Sequence, residues 1–354
     1  MEDKIFIDHV ADILKIRQSR RSFMKKLVLG SAGAAFNTLI HHVPSNAATV
    51  NTIKSTVSLV PGTDRRDMVY QALKPFENEI KNGIQDKQVI IKPNLVGNET
   101  ILCATHPDAI RGVLDFLKPI YKKQILIAES TGRRYDDMAG TIKHYTIYGY
   151  FPLEKEYNVK LVDLNAGTYT VEWLLGPDDH PLDIRICAPF LDSNNYFIAV
   201  NRLKTHNVLV VTLSAKNMLM GSPFVDGYRH DKSRMHTPGI RKFNFNMFLL
   251  AQKVHPQVAV IDGLEGMEGN GPVKGTPVDH GVALASMDFI AADRIGCQLM
   301  GIDFGDVGYL TYSAQAGIGQ GELSNIKIVG PDPSNYVRKY RMHDDFESML
   351  EWKN

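Results

Sequence analysis

The chain has 354 residues, 44% of them hydrophobic and 22% charged, which is the make-up of an ordinary globular protein long enough for a large core. Its formal charge of +1 is uneven: residues 1–48 hold seven Lys/Arg and four Asp/Glu, leaving 33 against 35, or −2, for the rest. A near-neutral body with no basic run argues against nucleic acid or an anionic membrane surface as partner. Three cysteines stand far apart without a C-x-x-C pair, so no iron–sulfur cluster or structural zinc site is expected from their spacing.

The first element is an address. "SRRSFMKKLVLGSAGAAF" (19–36) places Arg20-Arg21 before Phe23 and Lys25, then a Gly/Ala-rich apolar run that is too short to be a spanning helix. It resembles a twin-arginine export signal, S-R-R-x-F-L-K, with Met24 in place of the usual Leu. A small-x-small cleavage site lies at Ala47 or Ala48, so residues 1–48 are expected to be a signal peptide. The resemblance implies the twin-arginine translocase as partner, a periplasmic or extracytoplasmic location and no stable membrane span after cleavage. That route carries folded passengers, often with a cofactor already inserted.

After the leader, "STVSLVPG" (55–62) reads as a strand and "RRDMVYQALKPFENEI" (65–80) as a helix. "KQVIIKPNLV" (87–96) is a short buried strand ending in Lys92-Pro93-Asn94. In "THPDAIRGVLDFLKPI" (105–120), Thr105 is a candidate helix cap, with Pro107 and Asp108 in the first turn. "KQILIAES" (123–130) and "VKLVDLN" (159–165) are strands that deliver Glu129, Ser130, Asp163 and Asn165 at their far ends. Two further strands, the first ending at Val200 and the second at Lys216-Asn217, precede a His/Arg-rich loop (222–237). A helix follows in "NFNMFLLAQKV" (244–254), then a strand running into a Gly-rich loop (257–277), then a strand and helix within 281–301.

Strands alternating with helices, each strand apolar on both faces, predict an α/β fold. The expected form is largely parallel sheets flanked by helices, with two lobes around a cleft. One α/β domain over residues 49–330 is expected, with a C-terminal extension over 331–354. Polar groups recur just past the carboxyl ends of strands, where open α/β sheets bind ligands.

"LKTHNVLVVTLSAKNMLMG" (203–221) sets Lys204, His206, Lys216 and Asn217 around an apolar run. A lysine beside a buried strand needs an anion, a reactive role, or exposure to solvent at the strand end. His206, Lys216 and Lys204 are therefore candidate catalytic residues. The loop 222–237 holds His230 and His236 among Arg229, Asp231, Lys232 and Arg234, which suits a metal or an anion, and the two histidines are the candidate metal ligands. "DGLEGMEGNGPVKG" (262–275) matches neither a Walker loop nor the dinucleotide glycine spacing, but its glycines would let backbone amides approach an anion. Lys92, Asn94, Asn217, Asp262, Gly269 and Gly271 are candidate cofactor-binding residues. Asp288 and Asp293 are expected to start and cap the helix that follows.

"VIIKPNLV", "THPDAIRGVL", "AES", "LKTHN…VTLSAKNMLMG", the histidine loop, "VIDGLEGMEGNGPVKG" and "DFIAADRIGCQLMG" follow one another as in the bacterial and archaeal family called domain of unknown function 362. The chain resembles that family over roughly residues 55–305. Its members are often fused to ferredoxin-like modules, whose cysteines are missing here. More distantly, the layout is similar to the lactate racemase family that uses a nickel-pincer nucleotide. That resemblance implies a nucleotide-derived cofactor tethered at Lys216, with His206 preceding it and His230 on the metal. Asn217 and its surroundings do not reproduce that family's glycine-rich lysine segment.

The functional expectation is an exported, cofactor- or metal-dependent enzyme acting on a small anionic substrate, such as a hydroxy acid, by a racemase-like or redox reaction. The alternatives are a non-catalytic periplasmic protein that binds an anion or metal, and an accessory protein of a redox complex.

Overall fold

The structure is a computed structural model and describes residues 54–97, 100–131 and 140–354. The expected leader, residues 1–48, lies outside the described residues. Among the described residues eleven strands form: β1 (Ser55–Pro61), β2 (Gln88–Lys92), β3 (Ile125–Glu129), β4 (Val159–Asp163), β5 (Tyr169–Leu175), β6 (Pro181–Cys187), β7 (Asn195–His206), β8 (Val210–Thr212), β9 (Val258–Asn270), β10 (Lys274–Ser286) and β11 (Ile326–Val329). The α-helices used below are α1 (Arg65–Leu73), α2 (Glu77–Ile84), α3 (Pro107–Leu117), α4 (Gly140–Ile147), α5 (Pro152–Glu156), α6 (Ser214–Gly221), α7 (Asp231–His236), α8 (Ile240–Ala251), α9 (Phe289–Leu299) and α10 (Gly308–Gln315).

Nine strands make one sheet in the order β11-β1-β10-β9-β7-β2-β3-β4, with β8 paired to β7. Five of its eight pairings are parallel. The strands alternate side chains between two cores, as a period of two requires. From β7, Phe197 and Ala199 join one core while Ile198 and Val200 join the other; β9 does the same with Ala259 and Ile261 against Val258 and Val260. Helices α6, α8, α9 and α10 cover the first face, and α1 to α5 contribute to the second. The expected mixed, mostly parallel α/β architecture is therefore present. Nine of the strands form one continuous sheet. A hairpin of β5 and β6 stands apart from it.

Three local expectations change. β7 does not end at Val200 but runs on to His206, seven residues past its last pairing with β2 at Ala199, because β8 and β9 supply new partners. The apolar run after it is only a three-residue strand, and Lys216 and Asn217 lie in the first turn of α6 instead of at a strand end. The Gly-rich stretch is not a loop; it is the projecting half of the β9–β10 hairpin.

Thr105 is not the cap of α3. His106 is, accepting the Asp108 amide at Nδ1, and this frees Thr105 for a long-range role described below. The three cysteines are buried free thiols. Residues 331–354 pack on the same body, with Tyr340, Met349 and Trp352 buried. Among the described residues no helix is long and apolar enough to cross a membrane.

Candidate functional site

The carboxyl ends of β2, β3 and β7 open into a cavity of about 380 Å³ closed by α6 and α7. Lys92, Asn94, Glu129, His206, Lys216, Asn217, Lys232 and His236 line it. Two larger hollows, of about 660 and 570 Å³, lie at the opposite, amino ends of the strands; the second carries Lys87, Glu172, Asp192 and Lys253, of which Lys253 and Glu172 pair with each other. The carboxyl edge is where an open parallel sheet leaves strand ends and helix starts unobstructed.

One wall is rigid. Lys92, fully buried at the end of β2, donates from Nζ to Glu129 Oε1 (2.7 Å), Asn217 Oδ1 (3.0 Å) and the Pro93 carbonyl (2.9 Å). Glu129 also accepts the amides of Leu95 (3.0 Å) and Ser130 (2.7 Å). Burial lowers the Lys92 pKa, and Glu129 opposes that shift. A buried ion pair persists only when its remaining donors and acceptors are used, as they are here. Gly221 makes the arrangement sterically feasible, since a Cβ there would stand 2.0 Å from Lys92 Cε. Asn217 returns a bond from Nδ2 to the Lys92 carbonyl (3.2 Å), while Asn94 Nδ2 donates to Asn217 Oδ1 (3.2 Å). Thr105 ties this wall to β7: it accepts the Asn94 amide (2.9 Å) and donates to the Val200 carbonyl (2.7 Å).

The opposite side is cationic and loosely held. Lys216 is 8% exposed, and among the described residues it makes no hydrogen bond or ion pair. Burial lowers its pKa to about 7, with Lys204 and Lys232 adding to the shift. Lys204 is buried behind the cavity wall, with Nζ on the Cys103 carbonyl (2.7 Å), and burial brings it to about 7 as well. Lys232 donates to the Ser130 carbonyl and, at 2.9 Å, to Ser130 Oγ; burial lowers it to about 8, with Glu129 opposing. The explanation of Lys204 and Lys216 by exposure at strand ends fails, because both are buried.

The histidines divide by tautomer. His206 Nδ1 accepts the amides of Val208 (3.0 Å) and Leu209 (3.3 Å), so the proton of its neutral ring sits on Nε2. Burial and the neighbouring lysines hold its pKa well below the usual value. His230 caps α7 by accepting the Ser233 amide at Nδ1 (3.0 Å). His236 lies 2.7 Å from the Lys232 carbonyl through Nδ1, which must therefore donate, leaving the lone pair on Nε2. Among the described residues no group of three or more His, Cys, Asp or Glu comes together to hold a metal ion. Among the described residues His230 and His236 thus have no third protein ligand beside them, and Nδ1 of His230 is committed to a helix cap. The described residues by themselves do not make up a metal's ligand set.

The loop carrying these groups is clamped from outside. Asp231, fully buried, accepts Arg185 Nε (2.6 Å), Arg229 Nε (2.7 Å) and Arg234 Nη1 (3.0 Å), while Asp226 and Asp183 neutralise Arg185 and Arg229. The arginines of the His/Arg-rich loop therefore pair with acids, and Lys232 with the histidines faces the cavity.

Asp262, Gly269 and Gly271 do not join the cavity. Asp262 pairs with Arg65 (2.7 Å) and accepts the Leu264 amide (3.0 Å). The space beside Gly269 holds the guanidinium of Arg341, and that beside Gly271 holds the Thr205 carbonyl. Gly269, at φ +72, also donates its amide to the Arg341 carbonyl (2.7 Å). Gly269 thus admits the C-terminal segment of the same chain, and Gly271 admits the backbone of β7. Glu129, Thr105, Lys232 and Asp293 belong to the site's machinery although sequence patterning did not single them out as site residues. For Glu129 a signal existed, namely its place at a strand's carboxyl end.

Residues 89–298, more than half the chain, match the family described as Domain of unknown function (DUF362). The chain belongs to that family. The matched span contains every cavity-lining group named above and leaves out β1 and the C-terminal segment. Thylakoid-associated protein sll1697 of Synechocystis sp. is similar at 24% identity over 232 residues, which covers 64% of this chain and 66% of that protein, a little under two thirds of its length. No solved structure matches significantly.

Proposed function

We propose that this family member is an exported enzyme whose cavity binds a small anionic substrate, a carboxylate or phosphate, and uses the amine of Lys216 in its chemistry. One observation carries the reading: a buried lysine with no described partner faces a cavity already crowded with cations. Glu129 is the only carboxylate among the described lining residues, and Lys92 and two backbone amides saturate it. An arriving anion would therefore meet Lys232, Lys216 and the Nε2–H of His206, with no free carboxylate among the described lining residues to repel it. A site built only to grip an anion would favour lysines that stay charged; the lowered Lys216 supports a reacting amine. Export through the twin-arginine translocase is part of the proposal and rests on Arg20-Arg21 and the apolar run after them.

Calorimetric titration with phosphate, pyruvate and lactate tests the binding step. At least one should bind, and Lys232→Met should weaken it about tenfold or more, the scale of one lost charged hydrogen bond. Failure of all three anions to bind the folded wild-type protein would remove the reading.

A further inference from the structure

Lys216 and Lys232 differ in one respect that sets their chemistry. The Lys232 ammonium is stabilised by the carbonyl and hydroxyl of Ser130. Lys216, which projects from the first turn of α6 into the same cavity, has neither a carbonyl nor a carboxylate to hold its protons among the described residues. Asp293 fixes the start of α6 by accepting the amides of Ser214 (2.8 Å) and Ala215 (2.9 Å), so the backbone bearing Lys216 is locked while its amine is not. His236, with a lone pair on Nε2, and Lys232, with protons to give, line the same 380 Å³ space. The cavity therefore gathers a nucleophile, a base, and an acid that can also serve as an anchor for an anion.

We propose that Lys216 is a Schiff-base lysine, and that the substrate class is a small aldehyde or ketone carrying an anionic group, such as a 2-oxo acid. The proposal rests on the anionic-substrate reading and deepens it. In the step, Lys216 Nζ adds to the carbonyl carbon, forming a C–N bond as the C=O π pair moves to oxygen. One amine proton passes through His236 to that oxygen, giving a carbinolamine. The second accompanies loss of the oxygen as water, leaving a C=N bond. The two amine hydrogens and the carbonyl oxygen leave together as water, and no oxidant or reductant is consumed. Lys232 pairs with the substrate's carboxylate or phosphate and orients the carbonyl toward Lys216. The burial and like charges that lower Lys216 keep part of its amine neutral near pH 7, as the addition requires.

The test is reductive trapping on the full chain. Wild-type protein is incubated with glyoxylate or pyruvate and cyanoborohydride, then digested, and its lysine peptides are weighed. The expected result is a reduced adduct on Lys216 that forms at least tenfold faster than on any exposed lysine. It should be slowed by phosphate and form poorly with propionaldehyde, which lacks the anionic group. Lys216→Arg should abolish that adduct and leave surface labelling unchanged. Adducts confined to exposed lysines, with Lys216 unmodified, would overturn the proposal. Calorimetry on the same samples separates the two ideas: pyruvate that binds without trapping at Lys216 ends the Schiff base but leaves the anion site, whereas no binding of pyruvate, lactate or phosphate ends both.

Discussion

Asp293, on α9, accepts the backbone amide of Ser214 at 2.8 Å, so a fully buried carboxyl from one helix caps another helix two residues before Lys216. Burial raises this carboxyl to about 7, and the two amides it accepts pull the other way. Asp293 does not cap its own helix; Asp288 does, through the amides of Ile290 and Ala291. Replacing Asp293 with Ala strands two buried amides and should cost about 2–4 kcal/mol. Asp293→Asn, which keeps one acceptor, should cost less. Urea unfolding of the two variants checks the order, and equal stability of Asp293→Ala and wild type would refute the capping role.

Lys216 gives a pH dependence with a definite sign. Its pKa is about 7 in the folded chain, against about 10.4 in an unfolded one. Between those values the unfolded state binds the extra proton, so stability rises with pH over that window and is flat below it. The contribution of one such lysine is at most about 1.4 kcal/mol per pH unit. Urea midpoints at pH 7 and pH 9 should show a shallower rise in Lys216→Met than in wild type. Parallel slopes in the two proteins would place the amine in an ordinary exposed setting.

Gly221 and Lys92 share space that a single methyl would fill. The substitution Gly221→Ala puts Cβ 2.0 Å from Lys92 Cε and 2.6 Å from Nζ. The lysine cannot swing away without breaking its bonds to Glu129 and Asn217. Overpacking of this kind costs about 1–3 kcal/mol, and thermal unfolding should register it. An unchanged melting temperature would mean that the Lys92–Glu129 wall is softer than its hydrogen bonds indicate.

The leader makes a separate prediction. Changing both Arg20 and Arg21 to Lys should leave the precursor in the cytoplasm, as judged by fractionation. Export of the double variant at the wild-type rate would refute twin-arginine dependence.

The burial of β2, β3 and β9 on both faces was legible without coordinates, because each begins as a nearly unbroken apolar run. Lys92, Asn94 and Glu129 were legible too, as polar residues at the carboxyl ends of apolar runs. The extension of β7 through His206 was not. Residues 201–206 alternate too weakly to announce a strand, and their edges are paired by β8 and β9, the latter some sixty residues onward in the chain. The Gly-rich hairpin misled for a related reason. A glycine permits close approach but does not name what approaches; at Gly266 and Gly269 it is Tyr340 and Arg341.

By itself the sequence determined the fold class, the strand ends that carry polar groups, and the presence of lysines in apolar surroundings, since each of these is written in local periodicity and composition. Only the tertiary structure decided which lysines meet. Lys92 is neutralised by Glu129, 37 positions away, while Lys216 is left among other cations. Charge pairing acts through space at a few ångströms, and the separation of two residues along the chain does not report that distance.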